Sequence, residues 1–251
     1  LITDPNVLGA TWGRRDGFLD PLAVAQAYLD EARVAGVRYM PDTEAVELVR
    51  ERGRVAGVRF RSGESVATTR TVNATGVWSH AVAGLAELDL PTRPAKRYLY
   101  HTHPLRAFDV SAWPLTIADN GAHFRPSEGN TLMMAWEREP RPVAHPGPAA
   151  LWDTQDRIEP GFGLGGDDYG LRVLVELARH MPALAETVAL ARVTCGYYTV
   201  TPDHKAILGE DPRLPGLFHA TGFSGHGIMH AAATGLVLAA LPSQRATTLA
   251  T

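Results

Sequence analysis

The stretch that most limits what this chain can become is Gly222-Phe223-Ser224-Gly225-His226-Gly227-Ile228-Met229. Leu217 to Thr221, just before it, is apolar and β-like. His230 to Leu241, just after it, is rich in Ala, Leu and Val and is closed by Pro242. The order predicts a strand, a glycine turn and a helix. Gly222, Gly225 and Gly227 let the backbone take φ > 0 and come close to something flat or anionic. The helix that follows opens on N–H groups with no intrahelical partner and on the positive end of its macrodipole. An anion or an electron-rich ring edge suits that place. A tight turn with no ligand satisfies the same residues equally well.

Composition narrows the function classes. A net charge of −3 gives no broad attraction to nucleic acid or anionic membrane. No run of about 18 apolar residues predicts a membrane span. Cys195 is the one cysteine, so no internal disulfide can form and the expectation is a cytoplasmic protein. The sequence shows no signal peptide. It opens on Leu1 rather than Met, and the expectation is that the beginning of a longer protein is absent.

In chain order, Leu8 to Trp12 reads as a short strand. Asp20 reads as an N-cap with Pro21 at the first helical position, and Gly36 as the stop. Leu22, Ala25, Leu29 and Ala32, with Tyr28 beside them, form the expected inner face of that helix. Three β-like runs follow at 45–50, 54–61 and 65–73, turned at Arg52-Gly53 and Ser62-Gly63. A helix from Ser79, its expected N-cap, runs to about Glu87. From Lys96 to Trp136 the pieces 97–103, 115–118, 123–125 and 131–136 predict an antiparallel sheet rather than βαβ units. Residues 138–150 are proline-rich and read as a surface loop. Asp168 is expected to cap a helix over 169–180 with Leu171, Leu174, Val175 and Ala178 inside. Leu190 to Thr194 reads as a strand.

Several constellations carry chemistry. Gly161-Phe162-Gly163-Leu164-Gly165-Gly166 fits G-x-G-x-x-G literally, but Asp156 to Pro160 before it is no strand, so a loop is expected. His101 and His103, or His226 and His230, could pair on a metal, yet neither pair has a neighbouring acid or thiol to complete the ligands. Cys195 reads as a buried thiol. Gly222 to His226 approximates a G-x-S-x-G nucleophile elbow. A hydrolase of that kind needs an acid after the serine, and no Asp or Glu occurs from Gly225 to Thr251.

Taken in series, several segments resemble the D-amino-acid-oxidase-like FAD oxidoreductases, the glycine oxidase, sarcosine oxidase and dimethylglycine dehydrogenase type. Val72-Asn73-Ala74-Thr75-Gly76-Val77-Trp78-Ser79 is similar to that family's V-N-A-x-G-x-W-S. Thr201-Pro202-Asp203-His204, followed by Ile207-Leu208-Gly209, is similar to its T-P-D-x-x-P-I-I-G. Gly222 to Met229 is similar to its G-F-S-G-H-G, and Asp16 to Pro21 to its D-G-x-x-D-P. The resemblance implies that Val46 sets its backbone beside the adenine. It implies that Ala74, Thr75 and Gly76 turn near the ADP half with Trp78 packed nearby. Gly222, Gly225, His226, Gly227, Ile228 and Met229 would lie along the isoalloxazine. The family's opening βαβ unit with G-x-G-x-x-G has no counterpart here. The flavin-linking cysteine of the sarcosine oxidase branch falls nearer Gly196 than Cys195, so non-covalent FAD is expected. That branch also has a lysine where Met229 stands.

The resulting expectation is a mixed α/β (α+β) chain. Residues 16–87 and 196–245 would be a partial, Rossmann-like FAD-binding domain. Residues 1–15 and 88–195 would be an antiparallel-sheet substrate domain. The expected reaction is oxidation of a C–N bond of a small amine or amino acid by hydride transfer to flavin N5. Arg97, Arg125, Tyr197, Tyr198 and His226 are the substrate-side candidates, an arginine clamping a carboxylate. Two alternatives stand beside it: a non-catalytic remnant or subunit piece that needs a partner chain or the missing N-terminal half to bind FAD, and, more distantly, a serine hydrolase.

Overall fold

Asp20 starts the first helix as its position predicts. Its Oδ1 accepts from the N–H groups of Leu22 (2.8 Å) and Ala23 (3.2 Å), and Pro21 occupies the first turn. The computed structural model describes residues 6–136, 141–142, 158, 161–165 and 168–241. The chain divides into two units. One takes residues up to Phe18, the stretch from Lys96, and the chain up to Tyr197. The other takes Leu19–Ala95 and the chain from Tyr198.

The Leu19–Ala95 unit begins with α1 (Pro21–Val34), ended past Ala35 by Gly36 at φ +87°. β1 (Ala45–Glu51), β2 (Arg54–Phe60) and β3 (Ser65–Ala67) make an antiparallel sheet in that order. The expected third run is broken after β3. Thr68 Oγ1 donates to Arg70 O and accepts from Arg70 N, a local turn that releases the chain from the sheet. β4 (Thr71–Asn73) then joins a different sheet, parallel to a strand nearly 150 positions later in sequence. A 3₁₀ turn (Gly76–Trp78) leads into α2 (Ser79–Gly84), so Ser79 lies inside the helix rather than capping it.

The other unit is built on β5 (Arg93–Thr102), β6 (Thr116–Ile117), β7 (His123–Ser127), β8 (Thr131–Ala135), β9 (Arg141–Pro142) and β10 (Leu190–Val200). Their order is β10-β5-β8-β7-β6, with β9 also on β5; β5–β8, β8–β7 and β7–β6 are antiparallel, as expected. α3 (Tyr169–Ala178) and α4 (Pro182–Thr187) cover one face. Tyr98, Tyr100, Phe124, Leu132 and Met134 from the sheet meet Val173, Leu174, Leu177 and Leu184 from the helices. Each fully buried side chain of this size contributes about 1.5–3 kcal/mol. The Asn130 side chain ties the 105–110 loop to this core, donating to Leu105 O and Phe108 O and accepting from Val110 N.

Back in the second unit, β11 (Ile207–Glu210) and β12 (Leu217–Thr221) form a hairpin. β12 is the central strand of the β11-β12-β4 sheet, and every one of its residues is buried. α5 (Gly227–Ala240) closes the described chain.

Some expectations fail for identifiable reasons. Leu8–Trp12 forms no strand; these residues are exposed and have no ladder partner among the described residues. α1 buries none of its residues, and Leu22 and Tyr28 face outward; only Val24, Leu29 and Ala32 are half-buried. α3 turns a different stripe inward, Gly170, Val173, Leu174 and Leu177, leaving Leu171 and Val175 exposed. Gly170 decides this, because a Cβ there would stand 2.8 Å from the Tyr100 ring, so the helix settles on its glycine. Asp168 does not cap α3; its Oδ2 accepts from Gly165 N. The 138–150 loop lies outside the described residues except Arg141–Pro142.

Candidate functional site

Two turns meet at the carboxyl ends of the parallel neighbours β4 and β12, the end of an α/β sheet where ligands collect. After β4 come Ala74, Thr75 and Gly76, all exposed. After β12 come Gly222 to Gly227 and then α5.

A buried polar network joins these turns. Asn73 is 1% exposed. Its Nδ2 donates to Ser79 O (2.8 Å), and its Oδ1 accepts from Thr75 Oγ1 (2.7 Å). Thr221 Oγ1 donates to Ser79 Oγ (2.8 Å), and the Ser79 hydroxyl also meets Thr92 Oγ1 (3.1 Å). Ser79 and Thr221 thus hold the 74–76 turn against the end of β12. Asn73 and Ser79 lie within the motif read from sequence. Thr92 and Thr221 were not legible as partners, because their pairing exists only across the fold.

Gly76 has φ +56°, and a Cβ there would meet nothing within 4 Å. The left-handed turn therefore opens outward, toward space a ligand can fill. Gly225 has the opposite environment. At φ +96°, its missing Cβ would stand 2.5 Å from Cε2 of Tyr198, so this glycine lets the turn lie flat on the tyrosine ring. Ser224 locks the same turn onto β10, its N–H donating to Thr199 O (3.0 Å) and its Oγ accepting from Thr201 N (3.4 Å).

His226 stands at the N-cap of α5 without making a side-chain cap, and the first turn holds no acid. The N–H groups that open α5 lie among exposed residues: Gly225, His226, Ile228 at 43% and Met229 at 68%. An uncapped, exposed, positive helix end beside a flat glycine turn suits a planar group that carries negative charge. Val46 sits in a β-bulge. The β1–β2 register passes from Ala45↔Phe60 to Glu47↔Arg59 and leaves Val46 over. Trp78 is half-buried on the 3₁₀ turn. These donors and this open turn fit a flavin dinucleotide.

The substrate-side candidates do not form one group. Tyr198 is 38% exposed and packs under Gly225, whereas Tyr197 is half-buried and belongs to the other unit. Arg97, on β5, donates to Lys96 O (3.4 Å). Arg125, on β7, donates to Pro126 O (3.3 Å), with its guanidinium 5.3 Å from the centre of the Phe18 ring.

The sheet face that bears Arg125 also carries residues that the sequence did not join to it. His101, on β5, faces Met133 of β8, and Met133 faces Arg125 of β7, so the three stand in one cross-strand row. His101 is 8% exposed, and its Nε2 meets Thr194 Oγ1 of β10 at 3.0 Å. Burial holds its imidazole pKa below the usual histidine range, reinforced by Arg192 and then Arg125. The pairing with His103 that suggested metal does not occur: His101 turns to Thr194, and no group of three metal-binding side chains exists among the described residues.

The hydrolase reading finds no histidine bonded to Ser224 among the described residues. Ser224 does take φ +51°, as a nucleophile elbow does, but its hydroxyl donates back to Gly222 O (3.3 Å). The Gly161–Gly165 turn faces the Asp168 carboxylate, the wrong charge beside a phosphate site.

Comparison with known proteins agrees with this geometry. The family model described as FAD dependent oxidoreductase matches residues 2–241. The mouse mitochondrial pyruvate dehydrogenase phosphatase regulatory subunit is 27% identical over 248 residues, 95% of this chain and 26% of that protein. Human mitochondrial sarcosine dehydrogenase is 25% identical over 254 residues, again 95% of this chain and 25% of that protein. The crystal structure of L-proline dehydrogenase from P. horikoshii superposes with a TM-score of 0.74 at 25% identity, covering 92% of this chain and 57% of that one. The chain thus spans about a quarter of the length of these curated relatives. With a family model matched along nearly all of its length and two glycine turns where the fold places ligands, this chain belongs to the FAD-dependent oxidoreductases.

Proposed function

We propose that this chain supplies part of the FAD site and the substrate-facing sheet of an enzyme that oxidises a C–N bond of a small amine or amino acid. In this reading residues 16–87 and 196–245 serve the flavin, and residues 1–15 and 88–195 serve the substrate. The observation that carries it is the pair of glycine turns fastened by Asn73, Ser79 and Thr221 beside the uncapped start of α5. Bound FAD is the two-electron acceptor of such a reaction. The chain's own part is to hold and to polarise. The 74–76 turn and the Val46 bulge offer backbone to the adenine end, and the first N–H groups of α5 stabilise negative charge at the ring end. The names of the sarcosine and proline dehydrogenases support a substrate with a secondary amine beside a carboxylate. The test is to titrate the purified chain with FAD, following flavin absorbance near about 450 nm. Sarcosine, proline and glycine, and the dicarboxylates glutamate and iminodiacetate, are then supplied anaerobically. Bleaching of the bound flavin by one of them is expected; a chain that binds FAD and is bleached by none refutes the assignment.

A second reading has its own support. Leu22 (79% exposed), Tyr28 (56%) and Val34 (85%) on α1, and Met229 (68%) and Leu236 (58%) on α5, present apolar side chains to solvent. β4 ends its sheet with one hydrogen-bonded neighbour among the described residues. A further polypeptide carrying the family's G-x-G-x-x-G unit would cover these surfaces and complete FAD binding. Under that reading the isolated chain takes up FAD only after such a polypeptide is added.

A further inference from the structure

The five strands β10, β5, β8, β7 and β6 contain no aspartate or glutamate, yet they carry Arg97, His101, His123, Arg125 and Arg192. One face of this sheet is apolar and covered by α3 and α4. Side chains alternate along a strand, so the residues between those core positions point to the other face. Arg125 and His101 share one row there through Met133, and Thr194, bonded to His101, brings Arg192 to the same face two residues earlier on β10. His101 and Arg125 stand two strand spacings apart, about 10 Å between backbones. Both guanidinium groups act on the same imidazole. Arg125 donates to one backbone carbonyl and lies over Phe18, and neither Arg125 nor Arg192 forms an ion pair with a carboxylate among the described residues.

Two guanidinium groups flank one buried histidine on strands without acids, and no carboxylate among the described residues neutralises either charge. Each guanidinium matches one carboxylate in a two-point grip. We infer that Arg125 and Arg192 are specificity-determining residues for a dicarboxylate amino or imino acid, one carboxylate to each guanidinium, with His101 and Thr194 as the floor between them. This deepens the proposed function, on which it rests, by naming the substrate class. His101 is a positioning residue: its bond to Thr194 ties β10 to β5 and so holds Arg192 on the face that bears Arg125.

The probes are succinate, a dicarboxylate, and butyrate, its near-isosteric monocarboxylate, titrated into the full chain at low salt. Affinity and the C–H proton signals of the His101 imidazole are followed by NMR. Succinate is expected to bind at least about tenfold more tightly than butyrate and to shift the His101 signals. Arg125→Gln and Arg192→Gln should each remove that preference, and Arg192→Lys, which keeps the charge but loses the fork, should retain part of it. Arg172→Gln, on the helix over the opposite face, should change nothing. Three outcomes overturn the inference: succinate and butyrate binding alike, the preference surviving both glutamine variants, or Arg172→Gln abolishing it as well. Flavin uptake is read separately on the same samples. A chain that takes up FAD but treats the two acids alike refutes only the dicarboxylate inference. A chain that prefers succinate but never binds FAD, even after a polypeptide carrying the G-x-G-x-x-G unit is added, refutes the function proposed above.

Discussion

Asp211 offers a stability test that depends on one buried carboxylate. Its side chain is 2% exposed and accepts from Arg213 N (2.9 Å), Arg213 Nε (2.9 Å) and Arg213 Nη2 (2.8 Å), and it meets His219 Nε2 at 3.1 Å. His219 is equally buried, and its Nδ1 has no hydrogen-bond partner. Asp211→Ala therefore strips a buried imidazole of its one partner, at a cost of about 1–3 kcal/mol. Arg213 is half exposed, so loss of its ion pair adds no more than about 1 kcal/mol. Together these predict a destabilisation of about 1–4 kcal/mol for the unit that contains β12, measured by urea unfolding at pH 7. Asp211→Asn, which keeps the volume and an acceptor for His219, should cost about half as much. The side-chain hydrogen bonds from Arg213, helped by its backbone N–H and by His219, outweigh burial and hold the Asp211 pKa far below the usual carboxylate range. A carboxylate with a depressed folded-state pKa adds stability above its unfolded pKa of about 3.9 and loses it as pH falls below that value. The alanine variant should accordingly unfold with a shallower pH dependence between about pH 4 and pH 2 than the parent chain. A variant within about 0.5 kcal/mol of the parent at pH 7, with the same acid slope, would refute the reasoning.

Other consequences are equally direct. Gly225→Ala combines a left-handed backbone with a collision against the Tyr198 ring, and should lower stability by about 1–3 kcal/mol in a thermal melt; adding Tyr198→Ala should recover part of the loss. Asn73→Ala leaves Ser79 O and Thr75 Oγ1 without their buried partner, and should cost about 2–3 kcal/mol while loosening the 74–76 turn to hydrogen exchange. Ser224→Ala should leave FAD-linked turnover within about threefold of the parent and reveal no esterase activity to abolish, since its hydroxyl contributes a turn bond of modest worth. An esterase activity lost in that variant would revive the hydrolase alternative.

How much could be read before folding depends on the range of the interaction. Asp20, Pro21 and Gly36 mark α1 because capping acts within a few residues. The antiparallel sheet was legible because its pieces follow one another at short intervals, and Asn130 at φ +57° makes one of the tight turns between them. The glycine turn before α5 was legible as a turn, but not which glycine serves the protein and which faces outward. Gly225 is required by Tyr198, whereas Gly76 opens to space, and both facts belong to residues distant in sequence. The same limit hid the parallel pairing of β4 with β12, the Asp211–His219 pair, and Arg192 with His101. In α3, periodicity alone favoured Leu171 and Val175; contact of Gly170 with the Tyr100 ring chose the neighbouring stripe.

The central claim, that both glycine turns face FAD, is tested most directly by hydrogen–deuterium exchange with and without saturating FAD. The account predicts FAD-dependent protection at Ala74–Gly76 and Gly225–Met229. It also predicts that Met229→Glu, an exposed acid that the start of α5 tolerates but a negatively charged ring does not, weakens FAD binding without lowering the melting temperature. Protection confined to other segments, or FAD affinity unchanged by Met229→Glu, would contradict it.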